Sequence, residues 1–163
     1  MKTLLVLRHA KSSWHDGTLD HERPLNKRGQ RDAPQMGKVI REYGLAPDVI
    51  FSSDACRARQ TAEAVAQAAR FAGEIRLDPR LYGASPAEII AVLRTVDATN
   101  AATVLIVGHN PGLEELVARL TRERHDFPTA ALAQIVLPVD RWRDLTGSSH
   151  GSLIGLWRPK ELV

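Results

Sequence analysis

The stretch "KTLLVLRHAKSSW", residues 2–14, decides how this chain is read. Residues 3–7 are a continuous apolar run, suited to a strand covered on both faces rather than on one. The run stops at Arg8-His9, two side chains that want charge or hydrogen bonds. One such ending carries little weight. Several of them, on neighbouring strands, would mark the edge of a site.

Two more endings follow the same plan. Residues 49–51 in "PDVIFSSD" form a second dry run that ends at Ser52-Ser53. Residues 104–107 in "ATVLIVGHNPG" form a third, which ends at Gly108-His109-Asn110. A weaker strand is predicted at 74–77. Helical signals fall between these runs. Asn110 can cap a helix with Pro111 at its first position, and Leu113, Leu116, Val117 and Leu120 give that helix one apolar face. "SPAE" at 85–88 is a capping box ahead of Ile89, Ile90 and Leu93. Ser53 or Asp54 can cap a helix that runs to Ala69. Residues 26–43 are helical in pattern, with Pro34 either kinking the helix or lying in its first turn. After Pro128, "ALAQIVLP" and "SLIGLWRP" read as two closing antiparallel strands around a Gly/Ser turn. The order is βαβαβαβ with a late hairpin. The predicted fold is an α/β three-layer sandwich: a mostly parallel central sheet, helices on both faces and a C-terminal antiparallel hairpin, in one domain over 1–163.

Composition narrows the function classes. With 163 residues, 44% hydrophobic and 25% charged, the chain can bury a core of its own. A formal charge of +3 is too mild to argue for a nucleic-acid partner, and no basic run is interleaved with aromatics. Arg8, Lys11, Arg23, Lys27, Arg28 and Arg31 do lie close together, diluted by Asp16, Asp20, Glu22 and Asp32. They make either a solvated surface or a basic mouth for an anion. The single cysteine, Cys56, fits a reducing compartment. No segment approaches the ~20 apolar residues of a membrane span, and the N-terminal run is too short for the core of a secretory signal. A soluble cytoplasmic protein is the expectation.

In open α/β sheets ligands bind beyond the carboxyl ends of the strands. If the three runs are parallel neighbours, His9, His109, Arg8 and an arginine of the 53–69 helix converge there. Guanidinium forks grip the nonbridging oxygens of a phosphoryl group. A neutral imidazole can attack phosphorus and split one hard step into two. A second histidine, if protonated, can donate to an equatorial oxygen as charge spreads, and helix N-termini add backbone donors. This chemistry needs neither metal nor cofactor, and there is no Cys/His metal spacing, Walker loop or G-x-G-x-x-G. The helix offers Arg57 and Arg59, two positions apart and on different faces. Glu88 is either its capping box's acid or a catalytic one. A cysteine-phosphatase loop of the form C-x5-R fails, since the residue six on from Cys56 is Ala62.

On "LRHAKSSW", "SSDACRARQTAE" and "VGHNPG" the chain resembles the histidine phosphatase, or phosphoglycerate-mutase-like, superfamily, with Ala10 where that family's signature has glycine. "RPLNKRG" at 23–29 and the R-A-x-Q-T spelling at 57–61 make it most similar to the small phosphohistidine phosphatases of the SixA type, over residues 2–137 and again in the closing "GSLIGLWRP". The resemblance implies His9 as the nucleophile that becomes phosphorylated, with Arg8, Arg57 and His109 holding the phosphoryl group. It prefers Arg57 to Arg59. Where mutase-like members carry an acid ahead of a Tyr-Gly pair, "DPRLYG" has Pro79, with Asp78 only a neighbour. An alkoxide leaving group needs that acid, whereas imidazole, with a conjugate acid of pKa about 6.5, needs it less. His15 stands where larger relatives have a phosphate-contacting asparagine, and the roles of His15, Lys11 and Arg23 stay open. The expected activity is a metal-independent phosphatase acting on protein phosphohistidine. The alternatives are a phosphatase of a small phosphorylated metabolite and, behind it, a non-catalytic phosphoprotein-binding module. A mutase ranks last.

Overall fold

In a computed structural model that describes residues 1–96 and 101–162, six strands form one sheet in the order β3-β2-β4-β1-β5-β6. The strands are β1 Lys2–Arg8, β2 Val49–Ser52, β3 Ile75–Leu77, β4 Thr103–Gly108, β5 Leu132–Leu137 and β6 Ser152–Trp157. The first four run parallel, and β5 and β6 are added antiparallel. Between them lie α1 Lys27–Glu42, α2 Cys56–Ala68, α3 Pro86–Leu93 and α4 Gly112–Thr121. This is the predicted architecture, including the weak strand, which occupies one edge of the sheet.

Both faces of the central strands are dry. Leu4 and Val6 join Phe51 and Ile106 under α3 and α4, while Leu5 and Leu7 join Ile50, Leu105 and Val107 under α1 and α2. A continuous apolar run was therefore the right signal: side chains alternate between two cores, not between core and water. Each fully buried aliphatic contributes about 1.5–3 kcal/mol by leaving water.

The helix ends differ from expectation in instructive ways. α3 has its full capping box, Ser85 Oγ accepting from the Glu88 N–H and the Glu88 carboxylate from the Ser85 N–H. Asn26 caps α1 through the Gly29 N–H. α2 begins at Cys56, later than Ser53 or Asp54 would place it, and neither caps it. Both side chains are engaged elsewhere: Ser53 with His109 and Asp54 with His21. α4 begins at Gly112, with Pro111 at the N-cap rather than inside the helix, and Asn110 Oδ1 accepts from the Glu114 N–H. Pro34 lies in the second turn of α1, not the first. Its missing N–H forfeits one bond to the Gln30 carbonyl, yet the helix continues because Ala33, Met36, Val39 and Ile40 pack its inner face. The link between β5 and β6 is longer than a Gly/Ser turn. It drops Trp142 into the core, where its Nε1–H donates to the Ala101 carbonyl at 2.8 Å.

Two glycines hold the site region together. A Cβ on Gly29 would lie 2.1 Å from the Lys11 carbonyl oxygen, and one on Gly112 would lie 2.0 Å from that of Ala84. Only glycine lets α1 and α4 approach those loops so closely.

Candidate functional site

Register sets the site. Arg8 on β1 pairs with Gly108 on β4, and Ser52 on β2 pairs with Val107. Each chain then leaves the sheet at the same level, so His9, Ser53 and His109 follow side by side. Backbone bonds continue one step past the strands: His9 N–H to Gly108 O and Ser53 N–H to Val107 O, both 3.0 Å. The His9 and His109 ring centroids come within 5.2 Å.

Both rings are buried, and both have one nitrogen fixed. His9 Nδ1 lies 2.7 Å from the Ala10 carbonyl. A carbonyl only accepts, so Nδ1 carries the proton and Nε2 presents a bare lone pair. The carbonyl partner that fixes this tautomer is thus the very next residue. Ala10 is fully buried, and its N–H donates to Thr61 Oγ1, which in turn donates to the Arg57 carbonyl at 2.7 Å. The threonine of R-A-x-Q-T thereby ties the His9–Ala10 turn to α2.

His109 Nε2 lies 2.8 Å from Ser53 Oγ. That hydroxyl already accepts from the Ala55 N–H at 3.2 Å, and the ring nitrogen is its only acceptor among the described residues. The hydroxyl proton therefore points at Nε2, which leaves a proton on Nδ1.

Burial lowers the pKa of His9 from 6.5 to about 4, with Arg57, Arg8 and Arg23 adding to the shift against a rise from the Ala10 carbonyl. Burial lowers His109 to about 3, followed by the charges of His9 and Arg57. Both rings are neutral at pH 7, so what His109 offers is a neutral N–H; the protonated ring that the sequence reading named as a condition is not the form present. A phosphoryl dianion nearby would pull its pKa back up.

The arginines are held by their tips. Arg8 Nη1 donates to the Phe127 carbonyl at 3.1 Å. Arg57 Nη1 and Nη2 donate to the backbone oxygen and the carboxylate of Asp20, at 2.7 and 3.1 Å. Among the described residues, the buried side-chain nitrogens and oxygens without a partner are Arg8 Nε, Arg57 Nε and His109 Nδ1. All three residues line one pocket of about 260 Å³ that also contains His9. Leaving three buried donors unpaired costs on the order of 1–3 kcal/mol each, and an anion with several oxygens is what such a set can satisfy together.

The remaining sequence candidates separate cleanly. Arg59 pairs with Glu63 at 2.7 Å on the exposed side of α2, away from the pocket lining. Lys11 and Arg23 line the pocket, whereas His15 is exposed and does not. Arg23 is buried and donates to Ser12 Oγ, the Ser13 carbonyl and Asp20 Oδ1. Asp78 is tied to Arg80, whose hydrogen bonds lower its pKa. Glu88 lines a neighbouring pocket with His109, but its carboxylate serves the cap, and that backbone bond lowers its pKa too. Both are ionised at neutral pH and poorly suited to give up a proton. A cleft of about 610 Å³ adjoins the first pocket and shares Arg8, Asn110 and Thr129 with it.

Asp20 is the residue that sequence reasoning missed. Its carboxylate takes bonds from Tyr82, Arg57 and Arg23, and its pKa falls to about 2, the Tyr82 hydrogen bond being the largest cause. In sequence it counted only as an acid diluting a basic cluster. Its spacing three before Arg23 was the available signal. Ser53 was read as a cap, and Tyr82 only as part of a Tyr-Gly pair.

Among the described residues no helix is long and apolar enough to cross a membrane. The family model of the histidine phosphatase superfamily (branch 1) matches residues 4–85. An uncharacterized chloroplastic protein of Arabidopsis thaliana is 31% identical over 99% of this chain and 80% of its own length. An uncharacterized protein of Mycobacterium tuberculosis strain H37Rv is 34% identical, covering 94% of this chain and 100% of its own. Among solved structures, a candidate phosphohistidine phosphatase SixA of Nakamurella multipartitia superimposes with a TM-score of 0.85 at 29% identity, covering 97% of this chain and 96% of its own.

Proposed function

Since the chain belongs to the histidine phosphatase superfamily (branch 1) and is a phosphohydrolase of the small SixA type, we propose that it removes phosphoryl groups from protein phosphohistidine through a phosphohistidine of its own at His9. The observation that carries this reading is the set of buried, unpartnered nitrogens on Arg8, Arg57 and His109, residues that line one pocket with a histidine whose Nε2 is bare. The name borne by the Nakamurella relative supports the substrate class.

The chemistry runs in two displacements. His9 Nε2 attacks phosphorus while the substrate's P–N bond breaks. A phosphoimidazole protonated on its second nitrogen leaves as neutral imidazole, so no protein acid is required. Arg8 Nε, Arg57 Nε and the His109 Nδ1–H hold the equatorial oxygens as charge spreads over them. The positive charge now on phospho-His9 rests on Nδ1–H, bonded to the Ala10 carbonyl. Water then attacks phosphorus, the Nε2–P electron pair returns to the ring, and phosphate departs with the water's protons. The acids near the site fit this scheme: Asp78 and Glu88 are both engaged and ionised, which disfavours substrates with alkoxide leaving groups.

A second reading, hydrolysis of a small phosphorylated metabolite, is favoured by the cleft of about 610 Å³ beside the phosphoryl pocket, which has room for the rest of a molecule. A binding module that does not turn over is disfavoured by a neutral, correctly protonated nucleophile. One domain over 1–163 and residence in a reducing, cytoplasmic compartment belong to the same proposal, the latter resting on the lone Cys56.

The test is phosphate release, with chelator present, from a phosphohistidine protein and from an aryl phosphate by wild type and His9→Ala. Turnover of the protein substrate by wild type alone is the expected result. Efficient release from small phosphates with none from the protein would replace the first reading by the second.

A further inference from the structure

The chemistry above leaves Trp14 without a role, yet its position is unusual. The indole is 75% exposed and lines the phosphoryl pocket. One face is stacked on Arg23, whose guanidinium carbon lies 3.6 Å from the ring centroid. Arg23 is itself locked by Ser12, Ser13 and Asp20, at 2.9, 3.3 and 3.1 Å. The segment before the indole is anchored too, by the Ser13 N–H to the Pro24 carbonyl at 2.8 Å and by a bridge between Ser12 and Leu25. A side chain so placed is not a loose surface aromatic. It is a flat apolar plate, fixed from beneath by a cation and open to water above.

Stacking on a guanidinium leaves the opposite face of an indole available to a second flat ring. The group attached to a phosphoryl in this pocket has to emerge at the mouth, where Trp14 forms part of the wall. Phosphohistidine is a substrate whose leaving group is itself a flat ring bonded directly to phosphorus, carried on a protein surface. Exposed tryptophans beside a functional pocket are also the residue type most enriched in binding hot spots.

We propose that Trp14 receives the leaving imidazole of a protein phosphohistidine and so sets the preference for that substrate over phosphoryl donors that lack a ring. The inference rests on the proposed function, and it assigns substrate contact to a residue outside the set of Arg8, His9, Arg57 and His109. A purely structural Trp14, which only covers Arg23, would disturb the pocket for every substrate alike.

The test compares wild type, Trp14→Ala and Trp14→Phe on a chemically phosphorylated phosphohistidine protein and on phosphoramidate, which has the P–N bond but no ring. Trp14→Ala is expected to lower kcat/KM for the protein about tenfold more than for phosphoramidate, mainly through KM, in line with the loss of one aromatic stack. Trp14→Phe should recover most of that selectivity. Equal losses on both substrates, or no change in their ratio, would overturn the inference. A wild type active on phosphoramidate but silent on the protein would overturn the substrate class itself, an outcome no Trp14 variant can mimic.

Discussion

His9 and His109 occupy matching places and are held in different tautomers. Each follows a parallel strand by one residue, on neighbouring strands in register, and each is buried and neutral at pH 7. What separates them is the partner of one ring nitrogen. His9 faces a carbonyl, which can only accept, so Nδ1 keeps the proton and Nε2 is left with a bare lone pair. His109 faces a hydroxyl whose O–H has no other acceptor among the described residues, so it receives that hydrogen bond at Nε2 and offers Nδ1–H. A bare ring nitrogen and a free ring N–H thus differ by one neighbouring oxygen, not by the strand that carries them.

Removing each ring breaks the comparison most sharply. His9→Ala should lower turnover on the order of 10⁶-fold, as loss of a nucleophile does, and should leave no acid-labile phosphoenzyme on rapid quench. His109→Ala should cost about 10²–10³-fold, the range of a lost oxyanion donor, while a phosphoenzyme still forms. A phosphoenzyme in His9→Ala, or its absence in His109→Ala at long times, would reverse the roles.

The same asymmetry extends to the arginines of α2. Arg57 points its tips at Asp20, lines the pocket and has a buried Nε without a partner, whereas Arg59 pairs with Glu63 on the outside. Arg57→Ala should lose about 10²-fold or more in kcat/KM, and Arg59→Ala should stay within about twofold of wild type. Equal losses would mean that α2 presents a different face. Asp20 belongs to this side of the site: Asp20→Ala frees both Arg57 and Arg23, and a loss of roughly tenfold is expected, partly restored in Asp20→Asn, which keeps hydrogen bonds without the charge.

These contrasts also mark what a sequence can carry. The meeting of Arg8, His9, Arg57 and His109 was legible because each ends or follows a strand or lies in the first turn of a helix, and strand ends in parallel sheets fall on one edge whatever the loops do. The sandwich was legible for the same reason, through dry runs too continuous for a half-exposed strand. Ser53 was not, and Asp20 only through its spacing from Arg23, because the bonds of Asp20 to Arg57 and of Ser53 to His109 span 37 and 56 residues and are reached through the path of loops. Ser53 even misled: a serine ahead of a helix is a good cap in isolation, and the bond to a distant histidine drew its hydroxyl away. Trp142 was hidden likewise, in a connection that composition described as a turn.

Ser53 offers a finer test of the tautomer argument. Ser53→Ala removes the donor to His109 Nε2 and leaves that nitrogen buried and unpaired, so the ring proton redistributes between its two positions. Turnover should fall about tenfold with little change in KM, since the donor acts more strongly in the transition state than in the ground state. Nitrogen chemical shifts should move His109 from the Nδ1–H form toward a mixture in this variant. An unchanged shift would show that Ser53 accepts rather than donates, and the contrast between the two rings would fail at that point.

The smallest effect concerns acid, and its smallness is the point. A free histidine of pKa 6.5 would be only about 3% neutral at pH 5, whereas one lowered to about 4 is about 90% neutral there. The His9 ring should therefore hold its neutral nitrogen shifts from pH 7 to pH 5, identified by their loss in His9→Ala. A midpoint near 6.5 would mean that burial does not protect the nucleophile. Stability follows with a definite sign. Between about 6.5 and 4 the unfolded chain binds the proton that folded His9 refuses, so stability falls as pH drops through that window, and His109 extends the fall to about 3. His9→Ala should flatten part of that slope in denaturation curves taken at pH 7 and pH 5. A variant with the wild-type slope would place the refused proton on another group, and the site would lose its explanation for keeping two neutral histidines among three arginines.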